Sequence, residues 1–474
     1  MTRSIGKRLR TAWALLIGGM AFCCPRASAQ AKAGPAVVPI RANAILSAPA
    51  PLAANPGFVL APVLAAPSLD ATAPIAVPAA LAPAAPAAIE GAAIADPTPW
   101  FTSDLADYIY RSRHGGAAEG AAGRLLEPAL QQLKDGVVWD AETPDEGLPG
   151  ILQRALALPA PPRIERTKSE IGTGANPVFR VFAEDGTVLA YAKILVKKAD
   201  AHALNELTAS AVLRGLAKAA PSEFPQAAET LGTYRLDEAS VLHLTAPQSG
   251  SGLAEDMEKL RGTSGEDREN RLRALERKAG AVGQALAEIH GRSPRGPVNG
   301  QEKGLFAGYL RGLIDRLERE RPETGARRIA AMRRWADAAL ARFAAEEQLG
   351  TYAHGDANLY NFRVKDDFKV GFIDYGTLFY SIGEDGRGNR SPAADLGRYV
   401  EMLSMDDHGL RPRETKRLQD AFLSAYAARA RGYGISMENL SDALELYRFY
   451  NRLMGSILIS PRVRLSVPSA RPAP

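Results

Sequence analysis

His354, Asp356, Asn361 and Asp374 are the residues of this chain whose types and spacing can do chemistry together. The first three lie in Tyr352-Ala-His354-Gly-Asp356-Ala-Asn-Leu-Tyr-Asn361, and the fourth in Ile373-Asp374-Tyr-Gly376. Between them, Phe362-Arg363-Val364 and Phe368 to Ile373 are apolar-alternating runs joined by Lys365-Asp366-Asp367, which predicts a β-hairpin. Asn361 and Asp374 then flank its open end on neighbouring strands, where cross-strand partners stand about 5 Å apart. Two oxygen ligands so placed can share one hard cation. Asp356, one tight loop upstream, can receive or orient a hydroxyl. Phosphoryl transfer asks little more of a protein than this: Mg²⁺ held against phosphates, and a carboxylate at the attacking oxygen.

Each fragment alone is a common turn or surface feature. Their ordered combination resembles His-Gly-Asp-x-x-x-x-Asn followed by Ile-Asp, the motif pair of the aminoglycoside phosphotransferase and choline kinase superfamily, relatives of the protein kinases. The resemblance implies that Asp356 is the catalytic base, that Asn361 and Asp374 hold Mg²⁺, and that His354 is a structural residue hydrogen-bonding the loop backbone. Ser391-Pro-Ala-Ala-Asp395-Leu-Gly-Arg398 is similar to the family's Asp-Leu-Ala helix start. Asp395 is thereby expected to be an N-cap and a structural anchor for the catalytic loop. One departure is the stretch Ser381 to Arg390, longer than this class has. Its glycines and charges predict a mobile loop near the acceptor or a solvated insertion. Tyr426, Tyr447, Phe449 and Tyr450 fall where choline-type kinases build cation cages, but their helical spacing points to core packing.

The elements that position these groups begin well upstream. Arg163 to Ile171, Val178 to Phe182 and Val188 to Val196 are β-rich, with Glu184-Asp185-Gly186 as a hairpin turn. Between the first two runs, Gly172-Thr-Gly174-Ala-Asn176 forms a glycine-rich turn that lets backbone N–H groups approach phosphate oxygens. The continuation Asn176-Pro-Val-Phe-Arg-Val is similar to the end of the corresponding loop in aminoglycoside and choline kinases. Lys193 sits inside the apolar strand Ala190-Tyr-Ala-Lys193-Ile, where a bare ammonium would be costly. Glu206, on a predicted helix from Ala201 to Leu216, is its expected partner, and the pair would hold the lysine against phosphates as in kinases. Leu231 to Tyr234 and Val241 to Leu244 complete a small sheet. The following Thr245-Ala246-Pro resembles the hinge between kinase lobes, where backbone groups near Leu244 to Ala246 would meet adenine. His243 reads as a partly buried strand residue.

Beyond Gly252 the pattern is helical. Leu272, Leu275, Ala279, Val282, Leu286 and Ile289 line one face of a long helix, and further helices are predicted over 304–319, 326–345, 395–403, 413–432 and 436–459. The expected fold is α+β and protein-kinase-like: a bilobal arrangement with a small antiparallel β lobe carrying one helix (163–250) and a larger α-helical lobe (251–460). The implied activity is transfer of the γ-phosphoryl of ATP, with Mg²⁺, to a hydroxyl of a small molecule. A protein kinase effector and a catalytically silent nucleotide-binding relative are the alternatives. The short activation segment disfavours the first, and intact Lys193, Asp356, Asn361 and Asp374 disfavour the second.

The N-terminus sets a different expectation. Arg3, Lys7, Arg8 and Arg10 precede an apolar run from Ala12 to Cys24, and Ala27-Ser-Ala29 is a cleavage site, so residues 1–29 read as a secretory signal peptide. The run is short of the roughly 20 apolar residues of a membrane span, and no other segment is long and apolar enough. Removing 1–29 deletes five basic residues and no acidic ones, so the formal charge falls from +5 to 0. The basic character is therefore a targeting feature, and no basic stripe interleaved with aromatics argues for nucleic acid. Cys23 and Cys24 are the only cysteines, which excludes disulfides and thiol chemistry from the processed chain. Residues 30–96, dominated by Ala and Pro, are expected to be a disordered linker, and 461–474 a disordered tail. Residues 97–162 are expected to be a helical extension, with helices at Ser103 to Arg111 and Gly123 to Leu133. Export conflicts with ATP use, since ATP is scarce outside the cytoplasm. Delivery to an ATP-containing compartment, another phosphoryl donor and an unprocessed signal all remain open.

Overall fold

The computed structural model describes residues 147–167, 176–196, 199–218, 224–237, 240–345, 347–383, 385–404 and 409–458. The expected signal peptide, the linker, the helices at 103–111 and 123–133, the glycines Gly172 and Gly174, and the tail lie outside the described residues.

The described chain is α+β. It opens with helix α1 (Gly147–Ala155), then strands β1 (Arg163–Arg166), β2 (Val178–Phe182) and β3 (Val188–Val196), helix α2 (Ala199–Lys218), and strands β4 (Gln226–Ala227), β5 (Thr230–Asp237) and β6 (Ser240–Thr245). Five of these strands form an antiparallel sheet in the order β1-β2-β3-β6-β5. The β2–β3 turn is made as the sequence predicts: Gly186 takes φ +84°, and the Asp185 carboxylate accepts the Thr187 N–H at 2.8 Å. Alternation puts Val181, Ala190, Ala192, Leu242 and Leu244 into one core, which Ile151 and Leu152 of α1 close. On α2, Leu207, Val212, Leu213 and Leu216 turn instead towards the larger helical core.

That larger core begins with β7 (Ser251–Gly252) and helices α3 (Leu253–Glu258) and α4 (Gly265–Arg292). It continues through β8 (Gly296–Pro297), α5 (Gly300–Glu320), α6 (Ala326–Ala345), β9 (Leu349–Gly350), β10 (Phe362–Val364) and β11 (Val370–Phe372). Helices α7 (Ala393–Ser404), α8 (Pro412–Arg431) and α9 (Met437–Leu458) complete it. The apolar stripe of α4 is buried as its spacing predicts, from Leu272 to Ile289. Gly283 lets α4 and α8 approach closely, because a Cβ there would stand 2.3 Å from the Phe422 carbonyl oxygen. Tyr426, Tyr447 and Phe449 are likewise buried, Tyr447 packing on Phe306 at 4.4 Å and Phe449 on Trp335 at 4.6 Å. These three are core side chains, and Tyr450 is partly buried against the same core, 5.3 Å from Phe306.

The hairpin pairs Phe362 with Phe372 and Val364 with Val370. Its second strand starts two residues later than the alternation predicts. Phe368 belongs to the turn, at φ +62°, where its N–H donates to the Lys365 carbonyl at 3.0 Å. The hairpin is also not alone: β4 pairs parallel with β11, and β7 antiparallel with β10. Two-residue strands such as these carry no periodicity of their own, and only their long-range partners make them visible.

Candidate active site

Strand β3, helix α2 and the end of β11 meet at one ammonium group. Lys193 Nζ donates to Glu206 Oε1 at 2.8 Å and to Asp374 Oδ1 at 2.6 Å. The predicted Lys193–Glu206 pair is thus formed, with Asp374 as a second partner. Burial pulls the lysine's basicity down, but the charges of Asp374 and then Glu206 outweigh it and hold the ammonium above its ordinary pKa. Reciprocally, the Lys193 charge and its hydrogen bond keep Asp374 below the usual carboxylate range. Asp374 takes φ +53°, a left-handed conformation that a non-glycine residue adopts at a cost. Gly376 leaves room for the Glu206 carboxylate, since a Cβ there would stand 2.7 Å from Glu206 Cδ. Gly376→Ala is therefore expected to push Glu206 off Lys193 and weaken nucleotide binding by roughly 1–2 kcal/mol, five- to thirty-fold. Calorimetric titration with nucleotide would check it, and an unchanged affinity would show that the lysine does not depend on Glu206.

The catalytic loop brings Asp356 and Asn361 together. Asn361 Nδ2 donates to the Asp356 carbonyl at 2.9 Å and to Asp356 Oδ2 at 3.2 Å, and Asn358 Nδ2 donates to the same Oδ2 at 3.0 Å. Ile373 N–H donates to the Asn361 carbonyl at 3.0 Å, so Asn361 and Asp374 do flank the open end of the hairpin. With its nitrogen committed to Asp356, the Asn361 side chain has its oxygen left for a cation. The other Asp356 oxygen, Oδ1, meets Arg398 Nη2 at 3.2 Å. A carboxylate oxygen accepts about two hydrogen bonds. Oδ2 is filled by Asn358 and Asn361, so the remaining acceptor site lies on Oδ1.

His354 corrects one expectation. Among the described residues neither of its ring nitrogens finds a hydrogen-bond partner, and the fully buried imidazole packs between Phe362 at 5.3 Å and Phe372 at 5.7 Å. The bonds that hold the loop run instead through its backbone. Asp395 is not the N-cap but lies inside the first turn of α7, and Ser391 Oγ accepts the Ala393 N–H at 3.3 Å in the capping position. The Asp395 carboxylate accepts the backbone N–H groups of His354 at 2.6 Å and Gly355 at 2.9 Å. His290 Nε2 lies 3.1 Å from the same carboxylate, and His290 Nδ1 is 3.0 Å from the Tyr426 hydroxyl. Burial raises the Asp395 carboxyl, but the hydrogen bond and charge of His290, the charge of His354 and the Gly355 N–H overcome it and leave the pKa low.

Three other expectations change. The Ala246 N–H donates to the Glu229 carbonyl at 2.8 Å, and Leu244 pairs with Ala192 on one side and Gly232 on the other. Leu244 is paired within the sheet and the Ala246 N–H is taken, and because Pro247 has no N–H, the next backbone donor is Gln248. Asn176 Oδ1 accepts the Val196 N–H at 3.0 Å, which fastens the start of β2 to the end of β3 rather than presenting that oxygen to a ligand. The described residues of the insertion form a loop whose backbone is bonded on several sides. Gly388 N–H donates to the Pro294 carbonyl at 2.7 Å, Thr351 N–H to Arg390 at 2.9 Å, and Gly383 N–H to Arg387 at 2.7 Å. A Cβ at Gly388 would stand 2.2 Å from the Thr351 backbone, so only glycine permits this packing. His243 is fully buried, its Nδ1 lying 2.9 Å from Thr233 Oγ1.

The sequence reading missed Asn358, Arg398, His290 and Gly376. Arg398 had a signal, because it lies three residues after Asp395 and so shares a helix face with it. His290 had none, since its partners are 105 and 136 residues away.

The donor set fits a magnesium-type cation. Among the described residues no group of three or more His, Cys, Asp or Glu side chains could hold a metal by itself. One carboxylate and one amide oxygen are what Mg²⁺ takes from a protein when phosphates and water complete its shell.

The sequence profile of the phosphotransferase enzyme family matches residues 172–433. A search of curated protein sequences found no match. Among solved structures, the chain is similar to a glucosamine kinase in complex with glucosamine, ADP and inorganic phosphate, at 16% identity and TM-score 0.41, covering 67% of this chain and 80% of that one. It is similar to an aminoglycoside-3'-phosphotransferase of type VIII at 18% identity and TM-score 0.36, covering 61% and 93%. A Plasmodium vivax ethanolamine kinase is similar at 11% identity and TM-score 0.35, covering 62% and 74%.

Proposed function

The chain belongs to the phosphotransferase enzyme family, and from that premise we propose that it moves the γ-phosphoryl group of ATP, with Mg²⁺, to a hydroxyl of a small molecule. The observation that carries the reading is the Lys193 ammonium held between Glu206 and Asp374. It fixes the one cation that can meet a nucleotide's phosphates on strand β3, with Glu206 of α2 holding it from behind and Asp374 beside it. Lys193 binds and orients the phosphates, restrained by Glu206. Asp374 and Asn361 are the residues that would hold the cation, and Mg²⁺ bound there would supply charge neutralisation of the phosphate oxygens. The acceptor hydroxyl approaches Asp356 at Oδ1. As the new O–P bond forms and the bond from the γ-phosphorus to the β-bridging oxygen breaks, the hydroxyl proton passes to Asp356.

Asp356→Ala is expected to reduce turnover by about 10²–10⁴-fold while keeping the nucleotide-induced rise in melting temperature. Nucleotide-dependent phosphate release and a thermal-shift titration with Mg²⁺-ATP measure the two separately. A wild-type protein that neither binds nor turns over nucleotide would sink the proposal.

Export through residues 1–29 belongs to the same proposal. Mass spectrometry of the cell-derived protein is expected to find Gln30 as the first residue, and an intact Met1 would refute processing.

A further inference from the structure

Resting on the reading of Asp356 as the group that meets the acceptor hydroxyl, we infer that Arg398 and Arg390 form an anion-binding subsite, so that the acceptor carries a carboxylate or a phosphate beside its reacting hydroxyl. The open acceptor position of Asp356 is on Oδ1, the oxygen that Arg398 Nη2 already contacts at 3.2 Å. A hydroxyl arriving there stands next to the guanidinium. Arg398 is largely buried, with a side chain 13% exposed, against 34% for Asp356. Among the described residues the only other hydrogen bond of its side chain is a long one, from Nη1 to Asn451 Oδ1 at 3.4 Å. A guanidinium has five donors in a planar fork that matches a carboxylate or a phosphate. Most of the Arg398 fork is left to engage a second anion.

Arg390 repeats the pattern from the other end of the same segment. Its backbone is fixed by the insertion, bonded to Thr351. Its Nε is buried without a hydrogen-bond acceptor, and the nearest carboxylate oxygen, Glu302 Oε1, lies 3.3 Å away out of bonding alignment. Arg390 stands just before α7 (Ala393–Ser404) and Arg398 within it, and Thr351, to which the Arg390 backbone is bonded, leads into the loop that carries Asp356.

The charge balance points the same way. The carboxylates here, Asp356 and Glu302, each already face an arginine. Tyr426, Tyr447 and Phe449, which could have caged a cation, are spent in the core. An ammonium-bearing acceptor would meet two guanidiniums and no free carboxylate among these groups. An acceptor bearing an anion would pair with them, and its charge would balance Arg398 when Asp356 takes the proton.

The test uses the full chain and four hexoses that differ in charge: glucose, glucuronate, glucose 6-phosphate and glucosamine. Each is titrated against the Mg²⁺-ADP-loaded protein by thermal shift, and each is offered as acceptor with Mg²⁺-ATP. Glucuronate or glucose 6-phosphate is expected to bind about 10- to 100-fold more tightly than glucose, with glucosamine weakest. Preference between the two anions assigns the subsite to carboxylate or phosphate. In Arg390→Met and Arg398→Met the anion-to-neutral ratio is expected to collapse towards one, and in Arg390→Lys to recover in part. Nucleotide-induced stabilisation in the same variants verifies that they are folded. No anion-specific shift in the wild type, a preference for glucosamine, or an equal loss for all four sugars in the variants would each overturn the subsite, the last by reducing Arg398 to an orienting residue for Asp356. Anion binding without phosphoryl transfer would keep the subsite and count against the kinase reading alone.

Discussion

Asp374→Ala is expected to abolish phosphoryl transfer, by roughly 10³-fold or more, while changing the stability of the unliganded protein by about 1 kcal/mol or less. The asymmetry follows from where the carboxylate sits. Its side chain is 52% exposed, so the 2.6 Å contact with Lys193 is screened by water and its loss is cheap in folding free energy. Lys193 keeps Glu206, which is 8% exposed and remains at 2.8 Å. On the proposed assignment the cation, in contrast, would lose the carboxylate that holds it. Nucleotide-induced stabilisation should therefore become independent of Mg²⁺, which thermal shift with and without EDTA measures. A variant that still binds nucleotide in a Mg²⁺-dependent way would remove Asp374 from the metal site and shift the assignment to another oxygen.

Asp395→Ala is expected to act in the opposite way, through the fold. Its carboxylate is 1% exposed and accepts two backbone N–H groups of the catalytic loop as well as facing His290. Removing it strands three buried donors, a loss of about 3–5 kcal/mol out of the 5–15 kcal/mol typical of a domain. Activity falls with it, since the loop that aims Asp356 loses its anchor. The pH dependence gives a separate readout. The folded-state pKa lies below the ordinary 3.8, so this stabilisation is complete above pH about 4 and is lost as pH falls through the folded value. Denaturation midpoints of wild type and variant should therefore differ widely at pH 7 and converge towards pH 3. A gap that stays constant across that range would mean that the ionised carboxylate is not the source of the stability.

These two aspartates also show how far the sequence could be read. Asp374 was legible because its place on the hairpin is encoded locally. The hairpin alternation places it beside Asn361 at the open end of two neighbouring strands, whereas its contact with Lys193, 181 residues away, was not foreseen. The helices of the larger core were legible for the same kind of reason, their 3.6-residue stripes being local facts about what must be buried; α6 falls over the predicted 326–345. Asp395 was legible only as a helix-start residue. Its bonds reach 40 and 41 residues back to the catalytic loop, and a further partner lies 105 residues away on α4.

The errors have one cause. Leu244 and Ala246 were expected to offer backbone to a ligand, yet β3 and β5 claim the backbone of that strand on both sides and Glu229 takes the Ala246 N–H. His354 was expected to bond the loop through its ring, yet Phe362 and Phe372 enclose it. The glycine-rich insertion was expected to move or be solvated, yet Gly388 is what lets it press against Thr351. In each case a residue type permits several partners, and sequence spacing does not say which one arrives.

By itself the sequence determined the order of the longer strands and helices, the hairpin with its three polar groups, and the Lys193–Glu206 pairing. Periodicity and the cost of burying an unpaired charge are properties of short segments. Tertiary structure alone decided that Asp374 shares that lysine, that Asp395 and His290 carry the catalytic loop, and that Arg398 stands at the open oxygen of Asp356. Those contacts join residues 40 to 181 positions apart, and only the packed core fixes which of them meet.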